Sequence, residues 1–426
     1  MFEPLRAAAY DSLSPRFFYG WVILAVTSLA IFSSGPGQSH TFSVFVDPIT
    51  NDLGLSKQAI SIAYGLATLV AALLLPQMGK LVDKHGPQRM TVWVAFALGL
   101  ACVLFGAVGG PITLAVGFGA LRFLGQGSLM LNSANLVAHW FNARRGFAMS
   151  LMALGFGVSM AVHPPLGQYL IAQFGWRWAW VILGLMTWVI LLPPVILLVH
   201  NKPEPLGLRP DGEAALKAGE TAAEIDGLTP EEGRRVPAFY IISGGWFCIS
   251  MLITALHFHQ VGILTHQGLD KTVAARLFPV SAIAMVLMMP FVGKLLDNIK
   301  TRYVFATCML ILTVALFGIT LVDSFSTAVV YAVVFGIANA FSMTMFGYLM
   351  PRYFGRKHLG SLQGQMQLVA VVGASIGPWP IGWAFDLFDD PSLTLRLLAI
   401  LPVITAVVAA VMLRTPAGVK YPEKLE

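Results

Sequence analysis

The chain has 426 residues, 57% of them hydrophobic and 11% charged, with a mean hydropathy of +0.74 and a formal net charge of +6. Soluble domains carry about 25% charged residues, so this composition excludes an ordinary soluble enzyme and a secreted disulfide scaffold, and points to a polytopic membrane protein. The basic excess forms no continuous arm, which excludes nucleic acid as the reason for it.

In chain order, apolar runs of about 20 residues, the length that crosses a hydrocarbon core of about 30 Å, predict twelve membrane helices. They fall at 18–46, 57–79, 90–110, 112–137, 146–172, 177–199, 238–266, 273–296, 303–322, 325–350, 358–386 and 393–414. The runs are too long and too uniformly apolar for barrel strands, so the expected class is all-α. The expected organisation is an N-terminal segment 1–17, a six-helix half 18–199, a linker 200–237, a second six-helix half 238–414 and a tail 415–426. The linker is rich in Glu, Ala, Gly and Pro, the composition of a weakly structured connection. The first residues are mixed and polar, and no cleavable signal peptide is read in them. Cys102, Cys248 and Cys308 lie inside apolar runs, where buried thiols are expected rather than a disulfide framework.

Lysine and arginine set the orientation. With the N-terminus in the cytoplasm, only Lys57, Arg177, Lys271, Arg276 and Arg396 fall on outer segments, and Arg122 falls inside a span. All the others are cytoplasmic, which predicts that both termini face inward. A repeat crosses the linker. Gly79-Lys80-Leu81-Val82-Asp83 matches Gly293-Lys294-Leu295-Leu296-Asp297, and Pro164 matches Pro378 at the same spacing. Trp140-Phe141 with Arg144 matches Tyr353-Phe354 with Lys357 at nearly the same spacing. Parallel six-span repeats about a central site are the plan of one class of secondary transporter.

Gly79-x-Leu81-x-Asp83-Lys84-x-Gly86-x-x-Arg89, between spans 2 and 3, resembles the signature loop of the major facilitator superfamily. Trp140-Phe141-x-x-Arg144-Arg145-x-x-Ala148, followed by Phe174-Gly175-Trp176-Arg177, is similar to the monocarboxylate transporter family within it. Gly20-Trp21 fits the same pattern, and Pro205-x-Gly207-x-x-Pro210-Asp211-Gly212 resembles linkers of bacterial members. The resemblance implies a conformational motif of Gly79, Asp83, Lys84, Gly86, Arg89, Arg144 and Arg145, with Asp297 as the second-half counterpart of Asp83. It also implies, for proton-coupled members, an Asp and then an Arg before a proline in span 8. Aligned on Pro290, those positions hold Met285 and Met289, so the usual charged pair is missing and the site is softer and more apolar. The basic residue of span 1 in those members falls on His40.

Inside the membrane, Arg122 is the clear charge, and an intramembrane ionisable group is a functional hypothesis by default. Gln126 and Ser133 are expected on its helical face, and Asn339 takes the repeat-equivalent place of Gln126. A bracing arginine bonded to neighbouring carbonyls is the competing reading. Span 7 places Ser250, Thr254, His257 and Gln260 at helical spacing, and span 1 places Gln38 and His40 after the Gly35-Pro36-Gly37 break. Either stripe fits a cavity wall, because helix breaks are tolerated where backbone lines a cavity; histidines bonded to neighbouring helices are the alternative. Phe346 fits a cavity lining or plain packing. No metal-ligand spacing, nucleophile elbow or phosphate loop is read, so no cofactor, no metal and no enzyme activity are expected.

The expected function is secondary active transport of a small organic anion, a monocarboxylate with an apolar body, by alternating access, with protons as a candidate coupling ion. Efflux of a neutral or amphipathic compound is the alternative, ahead of a non-transporting receptor or a membrane enzyme. The expected setting is a bacterial inner membrane, with the lipid bilayer and a small-molecule substrate as partners and the chain as a monomer.

Overall fold

A computed structural model describes residues 6–7, 10–12, 17–141, 145–212, 228–354 and 359–414. The structure is 87% helical, with no strand among the described residues. Among the described residues, ten helices are long and apolar enough to cross a membrane, and the shorter apolar helix Gly20–Ser33 precedes them. The runs expected at 146–172 and 177–199 are both helical and meet at a corner at Gly175 (φ 79°, ψ 162°), within the stretch Arg145–Leu198. Its 54 residues would span about 80 Å if straight, far more than a bilayer, and a positive φ that glycine alone adopts cheaply supplies the corner. The first run is broken where Pro36 offers no N–H. Gly20–Ser33 gives way to a 3-10 turn at Gly35–Gly37, then to short helices Ser39–Phe42 and Val46–Leu53. Freed backbone groups there find side chains: the Thr41 hydroxyl donates to the Gly35 carbonyl at 2.6 Å.

The signature loop is a tight corner. Helix Lys57–His85 ends at Gly86 (φ 83°), and Pro87 opens Pro87–Phe105, the glycine-then-proline order expected between helices. The Gln88 N–H donates to the Asn201 side-chain oxygen at 2.8 Å, so the corner is pinned to the start of the linker. Lys84 and Arg89 are exposed and Gly79 is half-buried. Arg144 lies outside the described residues, as do the side chains of Asp83, Arg145 and Asp297.

The chain forms two compact units, residues 1–45 with 70–221, and residues 46–69 with 222–426. In the first, helix Arg145–Leu198 packs against Gly20–Ser33 and Pro87–Phe105. A Cβ at Gly155 would stand 2.1 Å from the Ser28 carbonyl oxygen, and one at Gly184 would stand 2.6 Å from that of Gly99; small residues allow this backbone approach. In the second unit, Lys271–Asn298 packs on Phe325–Phe354, and Pro237–His266 packs on Leu359–Ile376. Residues 57–69 are held there by Asp386, whose carboxylate accepts the Lys57 N–H at 3.1 Å and the Gln58 N–H at 2.8 Å. An anion at a helix start satisfies orphan donors and the helix dipole together.

Asp270 caps Lys271–Asn298, accepting from Thr272 N–H at 2.8 Å and Val273 N–H at 3.4 Å. The Thr272 backbone bond chiefly holds this carboxyl below its ordinary range. A depressed folded pKa contributes stability above the unfolded pKa, near 3.9, and loses it as pH falls through the folded value. Asp270→Ala should therefore lower the melting temperature slightly at pH 7, and the gap to wild type should shrink below about pH 4.

Candidate functional site

Arg122 is 3% exposed, and its Nη1 donates to the Gly37 carbonyl at 2.9 Å. Two glycines bring it there. A Cβ on Gly37 would lie 2.3 Å from the Leu121 carbonyl oxygen, and one on Gly125 would lie 2.9 Å from the Gly37 α-carbon. The helix carrying Arg122 crosses the 35–37 break at backbone contact. Residues Arg122–Leu129 wind as a π-helix, and the Ser128 hydroxyl donates five residues back to the Phe123 carbonyl at 2.7 Å. Wide winding of this kind is rare and concentrates at functional sites. The spacing that aligned Arg122, Gln126 and Ser133 assumes 3.6 residues per turn, and the π segment winds more widely; Arg122 and Ser133 are buried and Gln126 is half-buried.

Around the break, Gln38 is buried and its amide donates to the Ser34 hydroxyl at 3.0 Å. His40 is fully buried, with Nε2 3.2 Å from the Ser159 hydroxyl and its ring edge-on to Phe156 at 5.3 Å. Asn132 and Ser133 are fully buried, with no hydrogen bond to their side chains from the described residues. All of these lie in the first unit.

The other expected residues lie in the second unit. His257 is buried, with the Phe335 ring edge-on at 4.9 Å and Phe278 at 6.3 Å. Gln260 accepts from the Tyr331 hydroxyl at 3.1 Å, and Tyr331 stacks on Phe335 at 5.8 Å. Asn339 donates to the Phe335 carbonyl at 2.8 Å, which leaves its side-chain oxygen without a hydrogen bond from the described residues. The structure thus brings His257 and Gln260 against Phe335 and Tyr331 in one buried polar and aromatic cluster, with Asn339 one turn further along the same helix as Phe335. Thr254 and Met285 are also buried, while Met289 and Phe346 are half-buried, and Phe346 lies against Trp246 at 5.3 Å.

Five side chains escape the sequence reading: Tyr331, Phe335, Ser159, His163 and Arg352. Tyr331, Phe335 and Asn339 recur every four residues on one helix face, a signal that was present. Ser159 and His163 on Arg145–Leu198 have no such signal, because their partner His40 is far away in sequence. Arg352 is buried, and its Nη1 donates to the Leu296 carbonyl at 3.0 Å, as the Tyr348 hydroxyl does at 2.9 Å. A cation thus caps the last turn of Lys271–Asn298, beside the second copy of the signature loop.

Chemically, a guanidinium in a buried, apolar setting is a permanent cation with planar donors that match a carboxylate. The second cluster offers amide, imidazole and phenol groups on an aromatic wall.

Comparison with known proteins agrees with this picture. The chain is 24% identical over 250 residues to the oxalate:formate antiporter of Oxalobacter formigenes, covering 59% of this chain and 56% of that protein. It is 22% identical over 417 residues to human monocarboxylate transporter 2, covering 91% and 84%. Its fold matches a solved bacterial homolog of the human lysosomal transporter Spinster, with a TM-score of 0.67 at 17% identity over 93% and 95% of the two chains. The profile of the Major Facilitator Superfamily matches residues 27–378 and again 260–425. The chain is a multi-pass membrane transporter of the Major Facilitator Superfamily.

Proposed function

We propose that the chain carries a small organic anion, a monocarboxylate with an apolar body, across a bacterial inner membrane by alternating access, with both termini cytoplasmic. The observation that carries this reading is Arg122: a permanent charge buried at a glycine–proline break, in a chain similar to a monocarboxylate transporter and an oxalate:formate antiporter. Burying such a charge is costly, and binding a carboxylate gives it a use. Met285, in the place of a charge, suits an apolar substrate body. Protons are the proposed coupling ion, and the halves 18–199 and 238–414 are the proposed moving repeats.

The aromatic cluster around His257, Gln260 and Tyr331 favours one competing reading, efflux of a neutral amphipathic compound. A melting-temperature screen of the purified protein separates the two. Ligand that binds only the folded state raises the melting point by mass action, about 2.7 kcal/mol at a hundred times Kd. Carboxylates such as lactate, pyruvate and benzoate should stabilise, and their uncharged amides should not. Equal stabilisation by acid and amide would favour the neutral cargo.

A further inference from the structure

We infer that His163, Ser159 and His40 form a proton-binding relay, and that it is the seat of the proton coupling proposed above; the inference rests on that reading. His163 Nδ1 lies 3.1 Å from both the Ser159 hydroxyl and the Ser159 carbonyl oxygen. A carbonyl only accepts, so Nδ1 carries the hydrogen. The Ser159 hydroxyl lies 3.2 Å from His40 Nε2 on its other side. The chain of donors therefore runs from His163 Nδ1–H to Ser159 Oγ–H to His40 Nε2. All three groups are buried.

The transfer balances. Nε2 of His163 takes a proton from hydronium, leaving water, and its Nδ1 hydrogen passes to Ser159 Oγ as the Ser159 hydrogen passes to His40 Nε2. His163 ends neutral in its other tautomer, Ser159 is unchanged, and His40 ends as the imidazolium. Water has a place to approach: a cavity of about 10 Å³, lined in part by Ser33, His163 and Thr187, is the size that admits one molecule. The His163 ring is fixed against Gly35, where a Cβ would stand 2.3 Å from its Cε1.

The chemistry of the surrounding elements leaves the imidazoles this task. Residues 84–203 contain no Asp or Glu, so no carboxylate of that stretch can carry the proton. Gly20–Ser33 has no ionisable residue. Pro87–Phe105 has Cys102 and, at its start, Arg89, and the helix of the relay itself has Tyr169 and Arg177. Arg122 is tied to Gly37, three residues before His40, a chain length of at most about 11 Å. An anion at Arg122 and a proton on the relay attract each other. At an effective dielectric near 20, two opposite unit charges about 11 Å apart each raise the other's affinity on the order of tenfold, reciprocally by linkage. That is the thermodynamic content of anion–proton symport.

The test uses the full chain in liposomes with labelled lactate, measured two ways: counterflow against unlabelled lactate at equal pH, and accumulation driven by an inward proton gradient. At saturating lactate, where a roughly tenfold loss of affinity is masked, His163→Gln and Ser159→Ala should keep counterflow within about twofold and lose gradient-driven accumulation at least tenfold. Gradient-driven accumulation that survives in both variants overturns the relay. Absence of any lactate movement in wild type counts against the carboxylate reading instead, and the relay is then judged by a second measurement. In protein labelled with 15N-histidine, Ser159→Ala should shift the ring signals of both His40 and His163. Ring signals that move at neither residue contradict the relay whatever the cargo.

Discussion

If the proposed function holds, replacing Arg122 with Gln should lower the affinity for a monocarboxylate by roughly tenfold to a hundredfold, the equivalent of a charge-assisted hydrogen bond worth about 1.5–3 kcal/mol. Arg122→Lys falls between wild type and Gln, because it keeps the charge and loses the planar pair of donors. The Nη1 bond to the Gly37 carbonyl makes Arg122 a brace as well, so both variants should also melt earlier. Affinity is therefore measured on the folded fraction, alongside the melting temperature. If Arg122 only braces the break, both variants melt earlier and the surviving protein binds as wild type does.

Gly37→Val should be the most destabilising single change at this crossing. Its Cβ would stand 2.3 Å from the Leu121 carbonyl oxygen and 2.9 Å from the Gly125 α-carbon. These are backbone atoms that no rotamer change can move aside. Overpacking a tight contact costs about 1–3 kcal/mol, and here the displaced helix is the one that presents Arg122. The variant should express poorly and melt several degrees early. Any folded protein should bind anion less tightly than wild type, because the guanidinium has lost its seat. Gly109→Ala is the control, since a Cβ there meets nothing within 4 Å. Its melting temperature should stay at or slightly above that of wild type, because alanine reduces the freedom of the unfolded chain. Equal melting of both variants with wild type would show that the crossing is looser than described.

Much of the fold is legible because hydropathy and backbone chemistry are local. The Gly35-Pro36-Gly37 break, the corner at Gly86-Pro87 and the interruption between helices Leu359–Ile376 and Pro378–Phe388 each follow from residues that cannot continue a helix where they stand. The corner at Gly175, between the runs at 146–172 and 177–199, follows in the same way from a residue that takes a positive φ cheaply. The candidate site is less legible. Arg122 stands out as a charge in an apolar run, but its π-wound surroundings depend on how Gly125 meets Gly37, a contact between distant segments. In sequence, His40 fits either a cavity wall or a bond to a neighbouring helix. In the structure it belongs with Ser159 and His163, whose polar groups sit in an unremarkable apolar helix until the fold places them opposite it. Tyr331 shows the intermediate case, a residue whose helical spacing from Asn339 carries the information.

The central claim, that this transporter moves a small organic anion, is tested most directly by uptake into liposomes containing only the purified protein. Wild type should accumulate at least one labelled monocarboxylate above protein-free liposomes, exclude its amide, and lose that uptake in Arg122→Gln. Uptake of acid and amide alike, or uptake of the acid undiminished in well-folded Arg122→Gln, would contradict it.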